Sequence, residues 1–327
     1  MLNGYSLLKG ENYLFYSAQL IIVFLIILII DNTRFTHKAQ KGIYRFMGYF
    51  LWAAAIVSIL QFVIDPNFLT RKAGEEVLNN LGGNRRVLSF FGWEGEAKGA
   101  MVSIPLIGII LLNRQAKFAI RQIVLIVLPV FFVTFLTGSR AAIIATLLMI
   151  FFNSIRFGVS RFIGVSIFLL AVVSFGLSII NFNFDSFVEG RLQEDTDSRT
   201  VIFSYAFAKI NDSPLLGDGR TGVKGFEDDD LLSSNYNFGN RVHNGFLKIM
   251  LNYGIIGLIV FILLFIEMQR EGRRVYRLTG DTSYRYFVIM LLFLNFTVDI
   301  VNFFYPGIFL IWWHSHNLKM KAANLVQ

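Results

Sequence analysis

Apolar residues fall along this chain in long runs separated by short charged loops. A helix needs about 20 mainly apolar residues to cross the hydrocarbon of a bilayer, with a range of about 17–25. Runs of this kind cover 13–30, 44–64, 99–113, 122–137, 141–155, 162–181, 246–266 and 286–304. A ninth, 306–318, opens as PGIFLIWW and turns polar at His314. The runs 99–113, 122–137 and 141–155 are short, so they draw in flanking residues or rely on snorkelling of Arg114, Arg121 and Arg156. The pattern predicts an all-α, polytopic transmembrane bundle of eight or nine spans, forming a single integral-membrane domain over 1–327. No internal repeat, low-complexity tract or soluble domain interrupts it.

Composition agrees with the pattern. Hydrophobic residues make up 55% of the 327 positions and charged residues only 16%, against roughly 25% charged in soluble globular chains. A water-soluble enzyme is excluded. The chain has no cysteine, so disulfides, thiolate metal sites and cysteine nucleophiles are excluded too. The net charge of +8 is placed by side. Arg34, Lys38, Lys41 and Arg45, then Arg114, Lys117 and Arg121, then Arg156 and Arg161 mark three loops on one side of the predicted bundle. The loop 267–285, with Arg270, Arg273, Arg274, Arg277 and Arg285, and the C-terminal Lys319 and Lys321 lie on that side as well. Against them stand Asp31, Glu267, Glu271 and Asp281, so these loops read as cytoplasmic. A nucleic-acid footprint would gather its basic residues on one soluble face, and no nucleic-acid partner is expected. This orientation puts Met1 outside, with only Lys9 before the first span and no basic n-region of a signal peptide. Either the chain starts outside by nature or an upstream helix is missing, and the second is the expectation.

Two outer segments are long, 65–98 and 182–242, and a short turn lies at 138–140. Chemistry belongs there. Of the four histidines, only His243 falls on the outer side, in RVHNGFLKIMLNYGIIG, where a polar loop becomes a span. It is either an interfacial residue with a wet polar tip or a base able to take a proton near neutral pH. Arg241 beside it favours the neutral form that a base needs, and Asn244 can cap the helix that follows. Arg140, in TGSRAA, either snorkels to headgroups or grips phosphate oxygens bidentately. In 191–217 the apolar residues Ile202, Phe203, Ala206, Phe207 and Ile210 share one helical face. They predict an amphipathic helix over 200–211 lying on the outer leaflet, capped by Asp197 or Ser198 and ended before Pro214. Arg199 would stand at its start, close to headgroup depth, and Arg191 is a more distant candidate. Asp299 lies inside an apolar span, on one face with Asn295 and Asn302. It is either a buried hydrogen-bond partner or part of a functional cavity.

Three patterns are set aside. Gly217, Gly219 and Gly222 form a GxGxxG with no strand before it and no helix after it, and read as a turn. Asp228, Asp229 and Asp230 resemble the acidic pairs that hold metal–nucleotide complexes. Nucleotide sugars are cytoplasmic and this loop is not, so a solvated acidic turn is expected. His314 and His316 at i and i+2 diverge on a helix, so no metal site is expected.

The order of these features resembles the O-antigen ligase/polymerase superfamily. TGSRAAIIATLL precedes a span, DSRTVIFSYAFAKINDSPLLGDG lies in the large outer loop, and HNGFLKIMLNYGIIGLIVFILLF follows it. RRVLSFFGWEGEAKGA is similar to the family's outer segment before a span, so the resemblance runs over about 85–325. It implies an inverting, metal-independent membrane glycosyltransferase at the outer face of the bacterial inner membrane, without a cofactor. The implied substrates are an undecaprenyl-diphosphate-linked glycan donor and a glycan acceptor. A polysaccharide flippase and a chain-length regulator are implied partners in O-antigen or lipopolysaccharide biosynthesis. Carried onto this chain, Arg140, Arg199 and His243 are the implied catalytic residues, and Arg191, Arg241, Asn244 and Asp299 are expected to bind substrate. Family members usually have more spans than eight or nine, which accords with a missing upstream helix.

The chemistry fits that implication. A lipid diphosphate leaving group gains from arginines at headgroup depth, and an attacking sugar hydroxyl needs a base. Repeat-unit polymerase is the expected activity, with transfer of the glycan to lipid A core as the alternative. From another class, a flippase or transporter of lipid-linked sugars would share the composition. The uneven outer loops and the lack of an inverted repeat weigh against it.

Overall fold

The computed structural model describes residues 25–64, 92–114, 120–137, 140–158, 244–297 and 306–326, with parts of 160–171 and 203–217. Among the described residues every regular element is helical. Seven helices are named here: α1 His37–Val63, α2 Gly92–Asn113, α3 Ile120–Leu136, α4 Arg140–Phe157, α5 Gly245–Thr279, α6 Ser283–Thr297 and α7 Pro306–Val326. The chain divides into two compact units. One comprises Ile29–Arg191, Gly272–Met290 and Tyr305–Gln327; the other comprises Met1–Leu28, Leu192–Glu271 and Leu291–Phe304.

In the first unit α2 is the inner helix. Residues 103–113 are buried on all sides, and α2 packs against α1, α3, α4 and α7. A helix apolar around its whole circumference can be satisfied only by such encirclement. Gly108 lets α4 and α3 approach, since a Cβ there would lie 2.5 Å from Met149 Sδ and 3.0 Å from Val130 Cγ2. α1 starts at Thr36, whose hydroxyl accepts the Ala39 N–H at 3.3 Å, an N-cap of the usual kind. Its buried face carries Tyr44, Met47, Leu51, Ala54 and Ser58 at helical spacing. Thr146 on α4 donates to the Thr134 hydroxyl on α3 at 3.1 Å. The Tyr286 hydroxyl on α6 donates to the Ala145 carbonyl at 2.8 Å.

The second unit is built on the first limb of α5. Gly254 breaks that helix with φ 63° and ψ −163°, a left-handed φ that favours glycine. A Cβ there would also overlap the Leu215 carbonyl. The break frees two helix N–H groups, and the turn at 213–217 meets them. Ile255 N–H donates to the Pro214 carbonyl at 2.8 Å and Ile256 N–H to the Leu215 carbonyl at 3.3 Å. Backbone groups freed by a helix break must find other partners. Gly254 lies nine residues into α5, about 13 Å along its axis at 1.5 Å per residue, so this turn dips alongside the helix.

Helix forms over the described part of 203–212. Ala206 and Ile210 are buried on Leu247 and Leu251 of α5, with Phe203 and Met250 beside them. The expected surface helix thus buries much of its apolar face on protein, because α5 offers a matching stripe. Phe207 remains 54% exposed.

Two helices, α1 and α5, are long and apolar enough to cross a membrane, and four shorter apolar stretches accompany them among the described residues. These are fewer than the eight or nine spans expected. The runs 13–30, 162–181 and 286–304 fall partly or wholly outside the described residues. α7 runs to Val326, past the point where the ninth run turns polar.

Candidate functional site

The start of α5 gives the candidate site its frame. Asn244 precedes the helix, and its Oδ1 accepts the N–H groups of Phe246 at 3.0 Å and Leu247 at 3.1 Å. Its carbonyl accepts from Lys248 N–H. The expected cap is therefore present, and position 243 stands immediately before the positive end of a helix. Gly245 is required by α6: a Cβ there would overlap Asn295 Oδ1. Asn295 is 3% exposed. Its Nδ2 donates to the Leu291 carbonyl at 2.8 Å, while its Oδ1 has no hydrogen-bond partner. Asn252, lower on the same limb, is also buried with an unpartnered Oδ1.

Asn244 is the predicted site residue whose side chain the structure places. Arg140 opens α4, which fixes its backbone only. His243, Arg199, Arg191, Arg241 and Asp299 lie outside the described residues, as do Asp228, Asp229 and Asp230. Gly217, the first glycine of the GxGxxG, has φ 69° and packs against the backbone at Tyr253, in keeping with a turn.

A polar chain that the sequence reading passed over lies in the other unit. Asp281, 6% exposed in the loop between α5 and α6, accepts the Ser283 N–H on Oδ1 at 2.8 Å. Its Oδ2 lies 3.0 Å from His314 Nε2. A carboxylate only accepts, so that ring nitrogen carries the proton. His314 Nδ1 in turn meets the Tyr44 hydroxyl at 2.9 Å, and the Arg114 guanidinium sits 3.7 Å over the Tyr44 ring. Asn113 closes the cluster, donating to the Thr282 and Ser283 hydroxyls at 3.1 and 2.7 Å. Burial pushes the Asp281 carboxyl up. The hydrogen bond and charge of His314 and the donors of Ser283 outweigh it, and hold the group below its ordinary carboxylate range. His316 turns away to Asp31 at 3.5 Å, so the two histidines diverge as their spacing implies. The legible signal was a histidine inside PGIFLIWWHSHN, a polar group in an apolar run that must find a partner.

The exposed face of α5 defines the class. Ile255, Ile256, Ile259, Val260, Ile262, Leu263, Leu264 and Ile266 are all exposed, which water does not allow on one continuous helix. The described residues form an all-helical membrane protein. Residues 124–262 match the model of the O-antigen ligase family. That match bears out the resemblance to the O-antigen ligase/polymerase superfamily, whose members are glycosyltransferase-like enzymes. No curated protein matches the chain.

Proposed function

We propose that this chain is a repeat-unit polymerase: an inverting, metal-independent glycosyltransferase acting on undecaprenyl-diphosphate-linked oligosaccharides at the outer face of the bacterial inner membrane. The observation that carries the reading is the reach of the family match. Residues 124–262 enclose Arg140, Arg191, Arg199, Arg241 and His243. In the reaction His243 takes the proton of the acceptor hydroxyl as its oxygen attacks the anomeric carbon of the donor. The bond from that carbon to the diphosphate oxygen breaks, and the electron pair leaves with the diphosphate. Arg140 and Arg199 hold the charge that develops there. The capped start of α5 supports the role of position 243, because a helix N-terminus disfavours a protonated imidazole and so keeps a base in its working form.

The description of the matched family, O-antigen ligase, favours a second reading in which the completed glycan is passed to lipid A core. One experiment separates the readings. Purified full-length protein is given lipid-diphosphate repeat units in the presence of chelator, with and without lipid A core. Polymer on the lipid diphosphate supports the polymerase, and transfer to the core supports the ligase. Strict dependence on added divalent metal refutes the base-and-arginine mechanism. Movement of repeat units across the bilayer without glycosidic bond formation refutes both enzyme readings.

A further inference from the structure

Two amide oxygens in the α5-based unit have no partner although both are at least nine-tenths buried, Asn295 Oδ1 and Asn252 Oδ1. Each unsatisfied buried acceptor costs about 1–3 kcal/mol, so native chains rarely keep one without use. Gly245 and Asn252 are seven residues apart and lie on one face of the first limb of α5. Asn295 Oδ1 abuts that face at Gly245, just inside the Asn244 cap. The two oxygens therefore belong to a face that begins next to position 243 and descends about 10 Å along the helix. A carbonyl oxygen accepts and cannot donate. It has nothing to offer a diphosphate, whose oxygens also accept. A sugar is the opposite case, since every hydroxyl is a donor.

We propose that Asn295 and Asn252 form a hydroxyl-binding subsite for the acceptor sugar, and so position its reactive hydroxyl for the base at the start of α5. This rests on the glycosyltransferase reading for the role of position 243, but the sugar binding itself does not. Asn295 and Asn252 are thus positioning residues, and Gly245 is small so that Asn295 can reach the helix start.

The test uses the full-length protein, the host's lipid-linked repeat unit as donor, and the oligosaccharide freed from it by mild acid as acceptor. Asn295→Leu and Asn252→Leu should each raise the KM for the free oligosaccharide about tenfold, the worth of one lost buried hydrogen bond. The KM for the lipid-linked donor should stay within about twofold. Replacing a buried amide whose oxygen is unsatisfied by an apolar group of similar shape should leave the unfolding temperature equal or higher. Asn295→Asp, which keeps an oxygen at the same place, should restore the acceptor KM. Unchanged acceptor KM in both leucine variants overturns the subsite. So does a shift confined to the donor KM, or a loss of kcat that follows a loss of stability. Should the wild type transfer no sugar, the functional reading falls, and equilibrium dialysis with the free oligosaccharide still decides the subsite. Weaker binding by the leucine variants sustains it, and equal binding overturns it.

Discussion

Asp281→Ala should be among the most damaging substitutions outside the candidate site. It removes the acceptor for the first N–H of α6, a cap worth about 0.5–2 kcal/mol. It also strands the Nε2–H of His314, which is 1% exposed, at a cost of about 1–3 kcal/mol. Together these give a loss of roughly 1.5–5 kcal/mol, if the two effects are independent. The effect should depend on His314. In a double-mutant cycle with His314→Ala, the second substitution should cost at least about 1 kcal/mol less when Asp281 is already gone. The assay is unfolding of the detergent-purified protein, monitored by intrinsic fluorescence against temperature and against added denaturing detergent. A coupling below about 0.5 kcal/mol, or an Asp281→Ala protein as stable as the wild type, would refute the claim that this buried chain fastens α1, α6 and α7 together.

The Asp281 carboxyl sits below its ordinary range, so its stabilisation is complete above the unfolded value of about 4 and is lost as pH falls through the lower folded value. The unfolding temperature of the wild type should therefore drop in acid more steeply than that of Asp281→Asn, measured between about pH 3 and 6. His243→Ala should abolish long-chain polysaccharide in cells while the protein remains inserted, with lipid-linked single repeat units accumulating at the outer face; accumulation on the cytoplasmic side would point to a transporter. Arg140→Lys keeps the charge but loses the bidentate fork, so polymer yield should fall at least tenfold; an unchanged yield would remove Arg140 from the diphosphate site. Gly254→Ala puts a side chain where φ is left-handed and the Leu215 carbonyl abuts, and should destabilise the protein by more than about 1 kcal/mol, read as a lower unfolding temperature.

The helical class was legible because it depends on runs of apolar residues, which the chain carries openly. The cap at Asn244 was legible for a local reason: a short polar side chain just before an apolar run has few other uses. What escaped the sequence was what depends on partners far along the chain. Asp281 looked like one loop acid among many basic residues, and only the approach of α7 turns it toward His314. Asn252 sits inside an apolar run with no spacing that marks it. The break at Gly254 was hidden because the run from 246 to 266 is apolar without interruption, and hydropathy does not report φ. The number of spans depends on more than the runs themselves, since short ones such as 122–137 cross a bilayer only if their neighbours allow it.

That break bears on how a loop can be held against a helix. A helix interrupted in this way frees N–H groups that must find other acceptors. Here the Pro214 and Leu215 carbonyls satisfy two of them. The loop segment is thereby pinned to α5 by backbone alone, independent of side-chain identity apart from the glycines that permit the approach. Ala206 and Ile210 then pack on Leu247 and Leu251, one to two turns below the Asn244 cap. Two anchors on the same limb fix the helix 203–212 to the helix capped by Asn244. A reaction that needs an arginine from the loop and a base from the helix start requires this kind of fixed pairing, because an error of about 1 Å in placement can cost a hundredfold in rate. The cap and the pinned loop thus lie on the same limb of α5, within the residues that the family match covers.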